Sequence, residues 1–323
     1  MPSLIDHALL RRNVRSPADL GDLNCDVFLS ALNESERVRS VHAGVIAGRK
    51  IWLVHQEYGY GAGELPTEGE VFVPDDNLSE VEWWLALVDA KLGNQSLAGA
   101  RVVVDITGMM RAHIMVMPLI FKELQLESLI VVYSDPTSYM SGARTVFSAG
   151  SDVEVRQVQG LEGSHLSPSP ADMLVIGAGY DFGLVRAAAE AKRTCQHLVV
   201  LGLPSLQPHM YQESQLSLSD ATESLNKFGD GTLLFAPADN PFATASVLQE
   251  RVSEYARRSG SGNLYFCPVG SKAQVLGFAW YFLTESRHGP ASMLFPFNSK
   301  YSRETSVGFS RLHEFELELN WIS

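Results

Sequence analysis

Cysteine is scarce in this chain of 323 residues, and the three cysteines stand far apart. Cys25, Cys195 and Cys267 form no Cys-x-x-Cys pair and match no spacing of zinc ligands. The sequence therefore predicts neither a metal site nor a disulfide framework, and it fits a reducing compartment.

Long apolar runs are also missing. No segment approaches the roughly 18 consecutive apolar residues of a membrane-spanning helix. The first 20 residues have no continuous apolar core of the kind that a secretory signal requires. We therefore expect a cytoplasmic protein with no membrane partner.

Positive charge is in deficit, with 25 Lys and Arg against 37 Asp and Glu and a formal net charge of -12. Binding along duplex nucleic acid requires a basic face to neutralise phosphates, so no duplex partner is expected. A small pocket lined by a few cations can still exist in an acidic protein. The composition therefore favours a small anionic ligand.

Several familiar motifs are absent. The stretch FCPVGSKAQ (266–274) has a lysine at a strand-to-helix turn but lacks the spacing of a Walker loop. GAGYDFG (177–183) has its third glycine one residue late for a dinucleotide fingerprint, and no acid ends the next strand. No HExxH or GxSxG sequence occurs. No cofactor is predicted.

Alternating strand and helix patterns dominate what is present. In the first half, apolar strand-like runs such as CDVFLSAL, KIWLVHQEY, ARVVVDITG and ESLIVVYSDP alternate with amphipathic helical segments. Buried strands that alternate with helices indicate an α/β fold with a parallel, doubly wound sheet.

The second half repeats this order. The turn VPDDN (73–77) aligns with APADN (236–240), and DITGMMRAH (105–113) aligns with FCPVGSKAQ, which places Arg111 over Lys272. Two unrelated doubly wound domains would share the hydrophobic pattern but not the paired turns and cations. We therefore predict two tandem Rossmann-like repeats that form a pseudo-dimer.

Predicted boundaries follow from composition. The segment LEGSHLSPSPAD is rich in Ser, Pro and Gly and has no periodicity, which is typical of a linker. The prediction is a first repeat with a short N-terminal extension over 1–160, a linker over 161–171 and a second repeat over 172–323. The last residues, from 302 onward, are expected to form closing strands that offer an edge to another protein.

Candidate site residues lie where the strands end. In an open parallel sheet, ligands bind beyond the carboxyl ends of the strands, near helix N-termini. Arg111 and Lys272 would lie in the first turn of such helices, where a cation opposes the helix dipole and an anionic ligand would offset the cost. The alternative is a solvated cation, or one paired with a carboxylate such as Asp105.

The neighbouring loops add polar groups and, in the second repeat, glycines that allow close approach of the backbone. Thr107 and Ser271 could cap the helices or contact a ligand, and capping is the commoner role; Asp76, Asn77, Asp239 and Asn240 are predicted caps too. The candidate ligand-binding residues are Ser30, Asn33, Ser35, Arg37, Thr107, Gly108 and Arg111 in the first repeat and Gly177, Gly179, Tyr180, Asp181, Gly270, Ser271 and Lys272 in the second.

A hydrolytic site is a further possibility. His55, Glu57 and Asp135 follow predicted strands and could act as acid and base. The alternative is that they are surface polar residues at strand ends.

The segment VVVDITGMMRAHIMVM resembles the hallmark motif of CARF domains, the CRISPR-associated Rossmann-fold sensors, whose pattern is approximately D-x-T-G-G-T-K-x-M. Met109, Met110 and Arg111 stand where that pattern has Gly, Thr and Lys. The second half keeps Gly270, Ser271 and Lys272 but lacks the Asp and Thr. Two such units in one chain also resemble the SAVED domains of cyclic-oligonucleotide antiviral systems.

The resemblance implies a ligand and a partner. CARF domains bind cyclic oligoadenylates across a twofold axis, using the first-strand loop and this motif. By analogy, Arg111 and Lys272 would face one pocket, and a separate effector protein would respond to binding. The implied function is a cyclic-oligonucleotide sensor or adaptor subunit in prokaryotic antiviral defence.

Two alternatives remain open on the same scaffold. One is a metal-independent ring-nuclease-like phosphodiesterase or other nucleotide-processing hydrolase, in which Arg111, Lys272 and a hydroxyl orient a ribose 2′-OH. The other is a structural partner of a defence complex that binds no ligand. The sequence favours a non-enzymatic role without deciding the question.

Overall fold

The computed structural model describes residues 6–93, 97–139, 153–179, 181–207, 210–221, 224–225, 232–260, 262–298, 300–303 and 306–322. The chain divides into two compact units. The first unit comprises Leu10–Gly150 and Ser299–Ile322, and the second comprises Met1–Leu9, Ser151–Asn298 and Ser323.

The secondary structure alternates as the sequence predicts. The described strands are β1 (Arg12–Arg15), β2 (Asn24–Ala31), β3 (Ile46–Leu53), β4 (Glu70–Phe72), β5 (Val102–Asp105), β6 (Ser128–Asp135), β7 (Ser138–Tyr139), β8 (Glu154–Gln157), β9 (Met173–Gly177), β10 (Gln196–Gly202), β11 (Leu233–Ala236), β12 (Leu264–Pro268), β13 (Ala291–Phe297), β14 (Ser306–Val307) and β15 (Arg311–Glu318). The described α-helices are α1 (Glu36–Gly44), α2 (Glu80–Leu87), α3 (Arg111–Glu123), α4 (Phe182–Ala191), α5 (Met210–Ala221), α6 (Pro241–Ser259) and α7 (Lys272–Tyr281).

The first unit contains a seven-stranded sheet in the order β1-β15-β6-β5-β2-β3-β4. Strands β2 to β6 are parallel. At one end β15 pairs antiparallel with β6, and β1 pairs antiparallel with β15. If the five parallel strands are numbered as they occur along the chain, their order across the sheet is third, second, first, fourth, fifth, which is a Rossmann-like arrangement.

The second unit contains a six-stranded sheet in the order β11-β10-β9-β12-β13-β8. Its five parallel strands follow the same third, second, first, fourth, fifth order, and β8 pairs antiparallel with β13. The predicted α/β class is confirmed, with mixed sheets of mostly parallel strands and one strand order in both units.

Apolar faces of helices and strands build the cores. In the first unit, Val41 of α1 packs with Phe28, Val103 and Val132 from three neighbouring strands, and all four side chains are fully buried. Burial of such side chains is the main favourable contribution to folding. Helix α1 therefore covers this face of the sheet with a buried apolar core.

Local capping signals begin several helices. Ser79 caps α2 by accepting a hydrogen bond from the Glu82 amide at 3.3 Å, and Asn240 caps α6 by accepting one from the Phe242 amide at 3.1 Å. The predicted cap is thus confirmed at Asn240. The predictions at Asp76 and Asn77 are wrong, because α2 begins later and Ser79 provides its cap. The prediction at Asp239 is wrong too, because Asn240 is the N-cap of α6.

The predicted repeat boundaries differ from the observed units at the C-terminus. Strand β15, assigned by sequence to the second repeat, pairs with β6 along eight residues and also pairs with β1. Strand β6 would otherwise expose a row of unpaired backbone groups. The closing segment therefore completes the first unit's sheet.

The predicted linker also differs. Strand β8, placed by sequence in the first repeat, pairs with β13. Leu161 is buried, its carbonyl accepts a hydrogen bond from the Met293 amide at 3.0 Å, and the Leu166 amide donates to Asn263 Oδ1 at 2.8 Å. Much of the predicted linker is thus bound into the second unit.

Among the described residues, no helix is long and apolar enough to cross a membrane.

Candidate functional site

The first unit has its strand-order reversal between β2 and β5. Strand connections leave in opposite directions there, and the carboxyl ends of these strands are where ligands bind in such sheets. Ser30 lies opposite Asp105 in the strand register, and its hydroxyl donates to Asp105 Oδ2 at 3.1 Å. Both residues are fully buried, so the reversal point contains a buried polar pair.

Thr107 extends this pair into a network. Its amide donates to Asp105 Oδ1 at 2.9 Å, and its hydroxyl oxygen accepts from the Ser134 amide at 2.9 Å. The Thr107 and Ser134 hydroxyls are also 2.9 Å apart. The hydroxyl therefore joins β5 to the end of β6 and does not cap α3, which corrects the capping prediction.

Gly108 allows the two loops of the reversal point to touch. A Cβ at this position would lie 2.3 Å from the Ala31 carbonyl oxygen and 3.1 Å from Cβ of Asn33. The Tyr58 hydroxyl donates to the Gly108 carbonyl at 2.8 Å. Gly108 is thus required for packing of the backbone, whatever else it contacts.

The loop after β2 carries the other predicted residues. Asn33 Oδ1 accepts from the Ser35 amide at 3.0 Å, and both residues are buried. Arg37, only 6% exposed, donates from a terminal guanidinium nitrogen to the Ser134 carbonyl. The first unit therefore brings Ser30, Asn33, Ser35, Arg37, Thr107 and Gly108 together at one edge of its sheet.

Arg111 is the first residue of α3 and is partly exposed. Met110, at the N-cap position, provides no side-chain cap, and the first turn carries no acidic residue. The Met110 amide instead donates to His55 Nε2 at 3.4 Å. Positive charge from the helix dipole and from Arg111 is therefore concentrated at this helix start.

The second unit has glycines at its corresponding reversal point, between β9 and β12. A Cβ on Gly177 would lie 2.9 Å from Cε2 of Phe278, and one on Gly179 would lie 2.6 Å from the Val269 carbonyl oxygen. A Cβ on Gly270 would lie 2.6 Å from Gln274 Oε1. These predicted ligand residues allow close packing of the main chain against α7 and against the loop after β12.

Capping occupies the remaining predicted groups of the second unit. Ser271 accepts from the Gln274 amide at 3.1 Å and donates to the Ala238 carbonyl, and Lys272 follows as the first residue of α7. Asp181 caps α4 by accepting from the Gly183 amide at 3.1 Å. Tyr180 lies outside the described residues.

Sequence reasoning missed Tyr58, Ser134 and His313. Tyr58 is held by Arg303, which donates from Nε to the Tyr58 carbonyl at 2.6 Å. Burial raises the pKa of the Tyr58 hydroxyl well above its usual value, so it stays a hydrogen-bond donor. The tyrosine-rich run HQEYGYGAG could have indicated Tyr58, but nothing local indicates a contact 245 residues away.

The surface interpretation of His55 and Asp135 is wrong, because they are 0% and 1% exposed. Burial alone would raise the pKa of Asp135, but hydrogen bonds and charges from His313 and Arg311 lower it below its usual value. Glu57 differs, since burial and the nearby Glu80 raise its pKa. Asp135 is therefore ionised at neutral pH.

Histidine and tryptophan rings surround the start of α3. His55 stacks on Trp83 with ring centroids 5.0 Å apart and meets His113 edge-on at 4.7 Å. Within the described part of the chain, no three His, Cys, Asp or Glu side chains form a group that could hold a metal ion. These rings therefore support the loop that leads into α3.

No protein-family model matches the chain, and no curated protein matches it significantly.

Proposed function

We propose that the protein is a sensor or adaptor subunit of a prokaryotic antiviral defence system and binds a small anionic nucleotide, of the cyclic oligonucleotide class, at the carboxyl edge of the first unit. The start of α3 carries this proposal. There, at the reversal point of a Rossmann-like sheet, Arg111 begins a helix that has no side-chain cap.

The chemistry of that helix start suits a phosphate. A cation in the first turn opposes the helix dipole at a cost of about 0.3–1 kcal/mol, which a bound anion offsets. Amide groups at helix N-termini and a guanidinium are both strong donors to phosphate oxygens. The network around Thr107 would hold the adjacent loop in place before the ligand arrives.

The pseudo-dimer and the separate effector protein belong to the same proposal. In that arrangement Lys272 would contribute to the same ligand as Arg111. The start of α7, however, is already capped by Ser271. We therefore assign the larger share of phosphate binding to Arg111.

Isothermal titration with cyclic di-, tri- and tetra-adenylate tests this assignment. Arg111→Ala should weaken binding about 10- to 100-fold, as expected for loss of a hydrogen bond to a charged group of about 1.5–3 kcal/mol. The matched variant Lys272→Ala should have a smaller effect. Absence of heat with every ligand, or unchanged affinity in Arg111→Ala, would reject the proposal.

A hydrolase on the same edge is the second candidate, because the raised pKa of Glu57 suits a general acid or base. Ion-exchange chromatography of each titrated mixture separates the two candidates. A sensor leaves the cyclic nucleotide intact, whereas a hydrolase converts it to linear products. A structural partner would bind none of the ligands.

A further inference from the structure

Two buried side chains of opposite charge lie at the end of β6, and each has one polar atom that the described residues leave unsatisfied. Arg37 is 6% exposed and Asp135 is 1% exposed. Neither Nε of Arg37 nor Oδ1 of Asp135 has a hydrogen-bond partner among the described residues. Buried polar groups are paired in the great majority of cases, so such an unsatisfied pair calls for a physical explanation.

The surroundings hold Arg37 in place. One terminal nitrogen donates to the carbonyl of Ser134, the residue that precedes Asp135. The guanidinium carbon lies 5.8 Å from the ring centroid of Tyr133 and 5.7 Å from that of Tyr139. The two tyrosine hydroxyls are 3.1 Å apart. The guanidinium is therefore fixed between aromatic rings, while its Nε hydrogen meets no acceptor in the described part of the chain.

The other oxygen of Asp135 is fully engaged. Oδ2 accepts from Arg311 Nε at 2.7 Å and lies 2.9 Å from His313 Nε2. His313 is in turn held at Nδ1 by Arg12, at 3.3 Å. The carboxylate therefore cannot rotate to satisfy Oδ1 without breaking two hydrogen bonds.

We propose that Arg37 Nε and Asp135 Oδ1 recognise the edge of a nucleobase, with the arginine donating to a base acceptor and the carboxylate accepting from a base N–H. This inference rests on the proposed function, because it assigns a base-binding subsite to the same nucleotide. It adds a specificity determinant distinct from the phosphate contact at Arg111.

Hydrogen-bonding capacity explains why a base fits better than a phosphate. An ionised phosphate offers only acceptors, so it could satisfy Arg37 Nε but would leave Asp135 Oδ1 without a donor. A neutral edge with an acceptor beside a donor satisfies both groups at once, and every nucleobase has such an edge. The rings of Tyr133 and Tyr139 contribute by holding the guanidinium in place.

The test compares adenosine 5′-monophosphate with its N6,N6-dimethyl derivative, which lacks both amino hydrogens. In titrations of the wild-type protein, dimethylation should weaken binding on the order of 10- to 100-fold, as for loss of a good base contact. Equal affinities would overturn the base subsite. If the cyclic adenylates bind while adenosine 5′-monophosphate and its dimethyl derivative bind equally, the proposed function stands and this inference falls.

Two variants locate the effect. In Asp135→Asn the penalty for dimethylation should shrink to within about twofold, because the carboxylate that accepts from the amino hydrogen is lost. Arg37→Lys should weaken binding of both nucleotides and keep the penalty, because Arg37 donates to the base acceptor that dimethylation leaves in place. Arg101→Lys, at the opposite edge of the sheet, should keep the full penalty. Circular dichroism checks folding, and if Asp135→Asn is unfolded, the wild-type ratio and Arg37→Lys still decide. Failure of all nucleotides to bind would overturn both proposals.

Discussion

The two units share a strand order but use the edge of the sheet differently. In the first unit the reversal point holds a network of buried side chains, from Ser30 through Asp105 and Thr107 to Ser134. In the second unit the same position is occupied by glycines and by the capping box of Ser271 and Gln274. Equivalent topology therefore does not imply an equivalent site.

The paired cations show this most directly. Arg111 and Lys272 are each the first residue of the helix that follows the fourth parallel strand. One helix lacks a side-chain cap and the other has one. A cation at the start of a helix is thus weaker evidence for a ligand than the absence of a side-chain cap on that helix.

The largest effect is expected where backbone approaches backbone in both units. Gly108→Ala and Gly179→Ala would place a Cβ 2.3 Å and 2.6 Å from a carbonyl oxygen. Each should lower the free energy of unfolding by about 3 kcal/mol, because the obstructing atom belongs to the main chain and cannot rotate away. Thermal and urea unfolding measure the loss.

Gly63→Ala is the matched control, since a Cβ there would meet nothing within 4 Å. It should change the unfolding free energy by less than about 0.5 kcal/mol. If Gly108→Ala is as stable as Gly63→Ala, the loops of the first unit are not in close contact. The same result for Gly179→Ala would remove the packing role assigned to the glycines of the second unit.

A smaller effect is expected from acid, through one histidine in each unit. Burial lowers the pKa of His42 to about 4, with help from Lys50, and burial lowers that of His7 to about 4 against the opposing charge of Asp6. The stability that depends on these two neutral histidines is fully present above pH 6.5, where they are neutral in the unfolded chain as well. It is lost as pH falls from 6.5 toward 4, because the unfolded state then binds protons that the folded state resists.

Calorimetry at pH 7.5 and pH 5.5 measures this loss, which should be about 1 kcal/mol for each histidine at the lower pH. His42 stacks on Trp52 with centroids 3.7 Å apart. His42→Phe retains a ring there and should reduce the acid sensitivity of the first unit alone, and His7→Phe that of the second. An unchanged pH dependence in either variant would exclude that histidine as the cause.

The smallest effect separates the two helix starts. Ser271→Ala should cost about 1 kcal/mol, since it removes the acceptor for the Gln274 amide. Ser271→Thr keeps a hydroxyl and should cost less. Thr107→Ala should not fray the first turn of α3, because Thr107 does not cap that helix. Hydrogen exchange of amides in the first turns of α3 and α7 distinguishes local fraying from global unfolding. Equal protection of α7 in Ser271→Ala and wild type would contradict the capping role.

Much of the fold could be predicted from local pattern. Continuous apolar runs such as VVVD in β5 and LLFA in β11, each next to a helical segment, identify parallel strands of an α/β sheet. The pairing of β15 with β6 could not be predicted in this way. Its residues are more than 170 positions from their partners, and an alternating strand pattern does not specify which edge it joins.

The candidate site was predictable in part for a similar reason. Strand ends are visible in the sequence, and that alone is sufficient to place Ser30, Thr107 and Arg37 at one edge. The roles of Ser134 and His313 depend on contacts between distant strands and could not be read locally. Asp135 also lies at a strand end in the sequence. Its burial, however, depends on β15, a strand distant in sequence that pairs with β6 at this position.

The return of β15 to the first sheet also determines the order in which the units can be completed during synthesis. In the described sheet β1 pairs only with β15, so β1 has no partner strand until β15 has been made. The second unit has nearly all of its chain by Asn298. Contrary to the usual sequence in which N-terminal units fold first, the first unit lacks β15 until the strands of the second unit have been made, and β6 stays unpaired by β15 while the second unit is translated.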